Sequence, residues 1–191
     1  MRRLSIAVAV ATGLLAAFGG CSHREIREYT IQQFMNTRTI YGAAFSCDGQ
    51  RILFTSDQSG AFNLFEVPVA GGEPRQLTHA EGGNLVALSF FPSDDRILYS
   101  GDEGGNGIYH IYLLQEDGTS RDLTPARGTH ARFYGWSRDG KSFYFGWNRR
   151  DARSLDIYTM ETGAFEPEMI YQNDTGYVFD AFSGDNRYLA F

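Results

Sequence analysis

The chain has 191 residues, enough for one domain with a sizeable core. Aromatic side chains make up 15% of it, and 22 Gly stand against five Pro, which suits short strands joined by tight turns better than helices. The formal net charge is −6 and no Lys/Arg-rich stretch exists, which excludes nucleic acid as a partner.

At the amino terminus, Met1-Arg2-Arg3-Leu4 and the apolar run from Ile6 to Phe18 form a basic n-region and an h-region too short to span a membrane. Residues 1–20 therefore read as a secretory signal. It ends Gly19-Gly20-Cys21-Ser22, small residues directly before a cysteine, which resembles a bacterial lipobox. Cys21 is then the lipidation site, and Ser22 after it resembles lipoproteins of the outer membrane. The expected location is periplasmic, with contact to a membrane only through the lipid anchor. The alternative is an ordinary cleaved signal with an incidental Cys. Two cysteines do not make a disulfide framework, and Cys47 reads as a small, partly buried turn residue. Residues 21–40 form a polar linker, in which Thr30 and Gln33 fit a capping box for one or two helical turns ending near Met35.

From residue 41 the chain repeats itself. Phe45-Ser46-Cys47-Asp48-Gly49 precedes an apolar run, and so do Phe91-Pro92-Ser93-Asp94-Asp95, Trp136-Ser137-Arg138-Asp139-Gly140 and Phe182-Ser183-Gly184-Asp185-Asn186. The aromatic anchors Phe45, Phe91, Trp136 and Phe182 lie 46, 45 and 46 residues apart, each followed three positions on by Asp48, Asp94, Asp139 or Asp185. Each unit reads as four short strands. In the first these are residues 41–45, 51–56, 62–69 and 75–78, separated by Asp-Gly, Ser-Gly and Gly-Gly turns. Asn63-Leu64-Phe65, His110-Ile111-Tyr112 and Asp156-Ile157-Tyr158 hold equivalent places in the third strands. Leu77-Thr78 and Leu123-Thr124 end the first two units, and the third has lost that pair near residues 168–171.

A period of this length built from strands and turns is the signature of propeller blades. The predicted fold is all-β: an incomplete β-propeller of four-stranded antiparallel blades over residues 41–191, three full repeats plus the start of a fourth. Rings need four to eight blades, and Phe191 falls inside a strand, so the sequence predicts the amino-terminal portion of a longer protein.

The blade pattern resembles that of TolB and of the prolyl oligopeptidase family. Tyr29-Thr30-Ile31-Gln32-Gln33-Phe34, Gly104-Gly105-Asn106 with Tyr109-His110-Ile111-Tyr112, and Gln172-Asn173-Asp174-Thr175-Gly176-Tyr177 resemble segments of exported bacterial peptidases of that family. The resemblance covers residues 29–191. It implies a serine peptidase cutting oligopeptides, with a C-terminal α/β-hydrolase domain in cis carrying the catalytic residues and a propeller that restricts access. None of that family's catalytic residues falls on this chain. The rival expectation is a TolB-like periplasmic propeller that binds proteins without catalysis; a third is a propeller enzyme with its own histidine-metal site.

The candidate chemistry within the chain is sparse, with no catalytic, cofactor-binding or metal-ligating residue assigned and no cofactor expected. Gly135-Trp136-Ser137-Arg138-Asp139-Gly140 is not a G-x-S-x-G elbow, because Asp139 stands at the closing position. His79, His110 and His130 lie 34, 19 and 39 residues past their anchors, without metal-binding spacing. The recurring Asp residues read as turn formers rather than calcium ligands. Asp102, Glu103, Asp151 and Asp156 read as solvated loop charge, and Arg149-Arg150-Asp151-Ala152-Arg153 as a hairpin tip able to meet a partner domain or a peptide carboxylate.

Overall fold

A computed structural model describes residues 28–185 and 187–191. The leader and Cys21 lie outside the described residues. Among those residues no helix is long and apolar enough to cross a membrane. A single turn of helix, α1 (Ile31–Met35), has the reciprocal cap its sequence encodes: Gln33 N donates to Thr30 Oγ1 at 3.1 Å and Thr30 N to Gln33 Oε1 at 3.0 Å. Arg38–Phe191 forms a separate compact unit.

That unit is all β. Its first sheet contains β1 (Ile40–Phe45), β2 (Arg51–Ser56), β3 (Asn63–Pro68) and β4 (Arg75–Gln76). The second contains β5 (Leu85–Phe90), β6 (Ile97–Asp102), β7 (Tyr109–Leu114) and β8 (Ser120–Asp122). The third contains β9 (Ala131–Trp136), β10 (Ser142–Trp147), β11 (Asp156–Glu161) and β12 (Pro167–Tyr171). A fourth holds β13 (Ala181–Phe182) and β14 (Leu189–Ala190). Within each sheet every strand pairs antiparallel with the next in the chain, as tight turns between short apolar runs require.

The sheets stack face to face, and the period-2 pleat divides their side chains between neighbours. In the middle sheet Ile97, Tyr99 and Leu114 turn toward the first, packing with Leu53 and Leu64. The alternate residues Leu98, Ile111 and Leu113 turn toward the third, packing with Phe143, Phe145 and Met160. Each fully buried side chain of this size contributes about 1.5–3 kcal/mol. The first strand of each four-stranded sheet also carries a register shift against its partner. In β1 the shift encloses Gly42, at φ 65°, where a Cβ would lie 2.8 Å from the carbonyl oxygen of Ala87 in the next blade. Only glycine meets both demands.

The turns explain the repeat and correct one part of it. Ser46, Ser137 and Ser183 each donate a hydroxyl hydrogen to the Asp two positions on, and each Oγ accepts the backbone N–H five positions on. Phe45, Trp136 and Phe182 pair with Ile52, Phe143 and Leu189, seven positions later. In the second blade the residue pairing with Ile97 is Phe90, not Phe91. Phe91 occupies the slot that is serine elsewhere, its N–H donating to Arg96 O as Ser46 N does to Arg51 O. The Asp94 carboxylate is likewise displaced by one position and pairs with Arg96 instead. Spacing alone aligned Phe91 with Phe45 because two aromatics stand side by side, and the ladder selects the first.

The anchor rings face the preceding blade. Phe90 lies in the core shared with the first blade, Trp136 packs on Phe91 at 5.0 Å, and Phe182 stacks on Tyr144 at 4.1 Å. Phe45, at the corresponding place on the first blade, is 66% exposed.

Candidate functional site

In the first and third blades the third strand opens with a polar residue that ties it to the loop after the fourth strand. In the first blade Asn63 is 1% exposed, and its Oδ1 accepts from Thr78 Oγ1 at 2.9 Å and Ala80 N at 2.8 Å. In the third blade the residue is Asp156, fully buried, its Oδ1 accepting from Asn173 N at 2.8 Å and its two oxygens from Arg150 at 2.9 Å each. Reading Asp156 as solvated charge was wrong, because a guanidinium and a backbone N–H inside the fold satisfy its carboxylate. Asp102 is also buried, its two oxygens accepting from Asn84 N and Gly107 N at 2.6 and 3.0 Å. Cys47, expected to be partly buried, is exposed.

In the second blade the same slot holds His110, and there the chemistry differs. His110 Nδ1 donates to Asp122 Oδ2 at 2.7 Å, while Asp122 Oδ1 accepts from Thr124 N at 2.8 Å. The pairing of Tyr112 with Asp122 across β7 and β8 places the carboxylate beside the imidazole on one face. Tyr112 stacks on Tyr99 at 5.1 Å on that face, and burial beside Asp122 pushes the Tyr112 hydroxyl up to about 12. His110, Tyr112, Asp122, Glu103, Asn106 and Arg127 line a cleft of ≈ 480 Å³, within the size range of small-ligand sites. The carboxylate holds the imidazole in a fixed orientation in the cleft wall. Sequence reasoning treated His110 without Asp122; the strand register is the signal that joins them.

The other singled-out residues fall elsewhere. His130, just before β9, accepts from Tyr109 N through Nδ1 at 3.2 Å, linking the second and third blades, and burial with Arg132 nearby lowers its pKa. His79 borders a separate cleft on the first blade with Ser59 and Glu81. Among the described residues no three His, Cys, Asp or Glu side chains converge as a metal site needs. Of the basic cluster, Arg150 is committed to Asp156 and Asp174 and Arg153 to Asp151, while Arg149 lies over the Trp147 ring at 5.0 Å. Arg51 and Arg75 both pair with Glu66 in the groove between the first two blades.

No protein-family model and no curated protein matches the sequence. Solved structures do match the fold. TolB from Acinetobacter baumannii aligns over 69% of this chain and 32% of its own, with a TM-score of 0.54 and 23% identity. A protein of Agrobacterium tumefaciens assigned as a TolB aligns over 69% and 46%, with a TM-score of 0.55 and 23% identity. A puromycin-hydrolysing peptidase of Mycobacterium tuberculosis aligns over 71% and 21%, with a TM-score of 0.53 and 17% identity. The chain thus spans less than half the length of each of these. What the likeness establishes is the architecture: the stacked sheets are β-propeller blades, similar to those of TolB and to the propeller region of a peptidase.

Proposed function

We propose that these blades are the non-catalytic, access-restricting propeller of an exported serine peptidase of the prolyl oligopeptidase family, acting on oligopeptides. In this reading an α/β-hydrolase domain in cis supplies the chemistry, and the propeller admits only peptides small enough to pass it. Cys21 carries a lipid that holds the protein at the periplasmic side of the outer membrane.

The observation that carries this reading is the joint after the third blade. Here the generic Leu-Thr ending is replaced by Gln172-Asn173-Asp174-Thr175-Gly176-Tyr177, one of the segments resembling those peptidases. It is a built element: Asn173 is buried, its Nδ2 donates to Tyr177 O at 2.8 Å, and its Oδ1 accepts from Gly176 N at 3.1 Å. Arg150 ties the same joint to Asp156 and Asp174.

The test is hydrolysis of chromogenic oligopeptides by the intact gene product, with labelling by a serine-reactive fluorophosphonate. The expected result is activity abolished by the label, and none from residues 21–191 alone. An intact product that neither hydrolyses peptides nor takes the label would overturn the peptidase reading in favour of a TolB-like binding propeller.

A further inference from the structure

The outer groove between the second and third blades holds two arginines in an unusual setting. Arg121, in β8, lies over the ring of Phe165 at 5.6 Å, and Arg149, in the β10–β11 hairpin, lies over Trp147 at 5.0 Å. Both border one cleft of ≈ 270 Å³, with Trp147 and Phe165 among its walls. Among the described residues neither arginine makes an ion pair, whereas the neighbouring Arg96, Arg150 and Arg153 are each paired with an aspartate.

The two aromatic platforms are fixed. Trp147 is buried and its Nε1 donates to Thr129 Oγ1 at 2.9 Å. Phe165 has φ 54°, the one non-glycine with positive φ among the described residues, a conformation that such residues rarely adopt. Its N–H donates to Glu161 O at 3.0 Å, and the resulting turn drives the ring to 9% exposure, edge-on to Phe91 at 6.2 Å. A strained residue held this way points to a positional demand. Here the ring serves as a platform for two guanidinium groups, the Asp94-paired Arg96 at 5.7 Å and the unpaired Arg121 at 5.6 Å.

A guanidinium stacked on a ring keeps its in-plane N–H donors free, and these match the two oxygens of a carboxylate. Two acids also border the cleft. Asp122 has both oxygens engaged, Oδ2 by His110 and Oδ1 by Thr124 N. Glu166 and Asp122 set two negative charges against the two guanidinium groups, which disfavours a dianion or polyanion more than a single carboxylate.

We propose that this cleft is a carboxylate-binding site, in which Arg121 and Arg149 together receive one carboxylate group. The carboxylate comes from the C-terminus of a peptide or from an acidic side chain on a docked segment. The site does not depend on the peptidase reading, since either a substrate or a binding partner presents this group.

Calorimetric titration of the intact protein tests it, using acetyl-Ala-Ala-Ala as the free acid, the same peptide as its amide, acetyl-Ala-Glu-Ala amide, and inorganic phosphate. At least one carboxylate-bearing peptide is expected to bind about tenfold or more tightly than the neutral amide and than phosphate. Which of the two binds identifies the source of the group. Arg121→Gln and Arg149→Gln are each expected to weaken that binding by about tenfold or more, as loss of a charge-assisted hydrogen bond does. Should Arg121→Gln disturb the Phe165 turn, Arg149→Gln carries the test alone, with circular dichroism confirming its fold. Equal or absent binding of acid and amide peptides, binding unchanged in the folded variants, or tighter binding of phosphate would each refute the site.

Discussion

Phe91→Ser separates two accounts of the second blade. By sequence spacing Phe91 is the anchor, and by register it fills the serine slot, so serine at this position would match the turns of the other blades. The structure gives a different expectation. Phe91 is 1% exposed, packed on Trp136 and Phe165, with the Arg96 guanidinium 4.3 Å above its ring. Removing a buried phenyl ring leaves a cavity and costs about 3–5 kcal/mol. The new hydroxyl recovers at most about 1 kcal/mol, because Ser93 stands where the other turns place their aspartate. The net loss is about 2–4 kcal/mol, a fall in melting temperature of roughly 10 °C for a domain of this size. Phe45→Ala, at the exposed anchor, is expected to stay within about 0.5 kcal/mol of wild type. Urea unfolding followed by circular dichroism measures both. A Phe91→Ser variant as stable as wild type would refute the packing argument and make position 91 an ordinary serine slot of the turn.

Asp156→Ala is expected to lose about 3 kcal/mol in the same assay, since Arg150 and the Asn173 N–H both lose their buried acceptor; a change under about 1 kcal/mol contradicts that network. Gly42→Ala combines a positive φ with a Cβ pressed on the Ala87 carbonyl, and is expected to cost about 2–3 kcal/mol; a neutral result would mean that the two blades can separate there. His130 has a folded pKa lowered by burial and Arg132 from the ordinary 6.5. Its contribution to stability is therefore present above about pH 6.5 and lost as pH falls through the lowered folded value. The shifted turn carboxylates, all lowered from 3.8, act only at more acid pH. The urea midpoint is expected to fall between pH 7 and 5 in wild type and to flatten in His130→Gln; equal slopes would place the titration elsewhere.

The sequence alone determined the repeat, the strands and the order in which they pair. The reason is local: Asp-Gly and Gly-Gly turns between runs of about six residues rich in apolar and β-branched side chains leave an antiparallel ladder as the way to satisfy the backbone. The Thr30–Gln33 cap is local in the same sense. What the tertiary structure decided depends on contacts across blades. Phe90 and Phe91 are equivalent to any spacing rule, and only the ladder with Ile97 and the facing Trp136 tells them apart. Asp156 looks like any hairpin acid until Arg150 and Asn173 close over it. His110 and Asp122 are twelve positions apart and meet through strand register, and Arg121 and Arg149 border one cleft whose walls include the Phe165 and Trp147 rings they lie over. Turn chemistry is written in neighbouring residues, whereas burial and charge pairing are set by which faces the stacked sheets bring together.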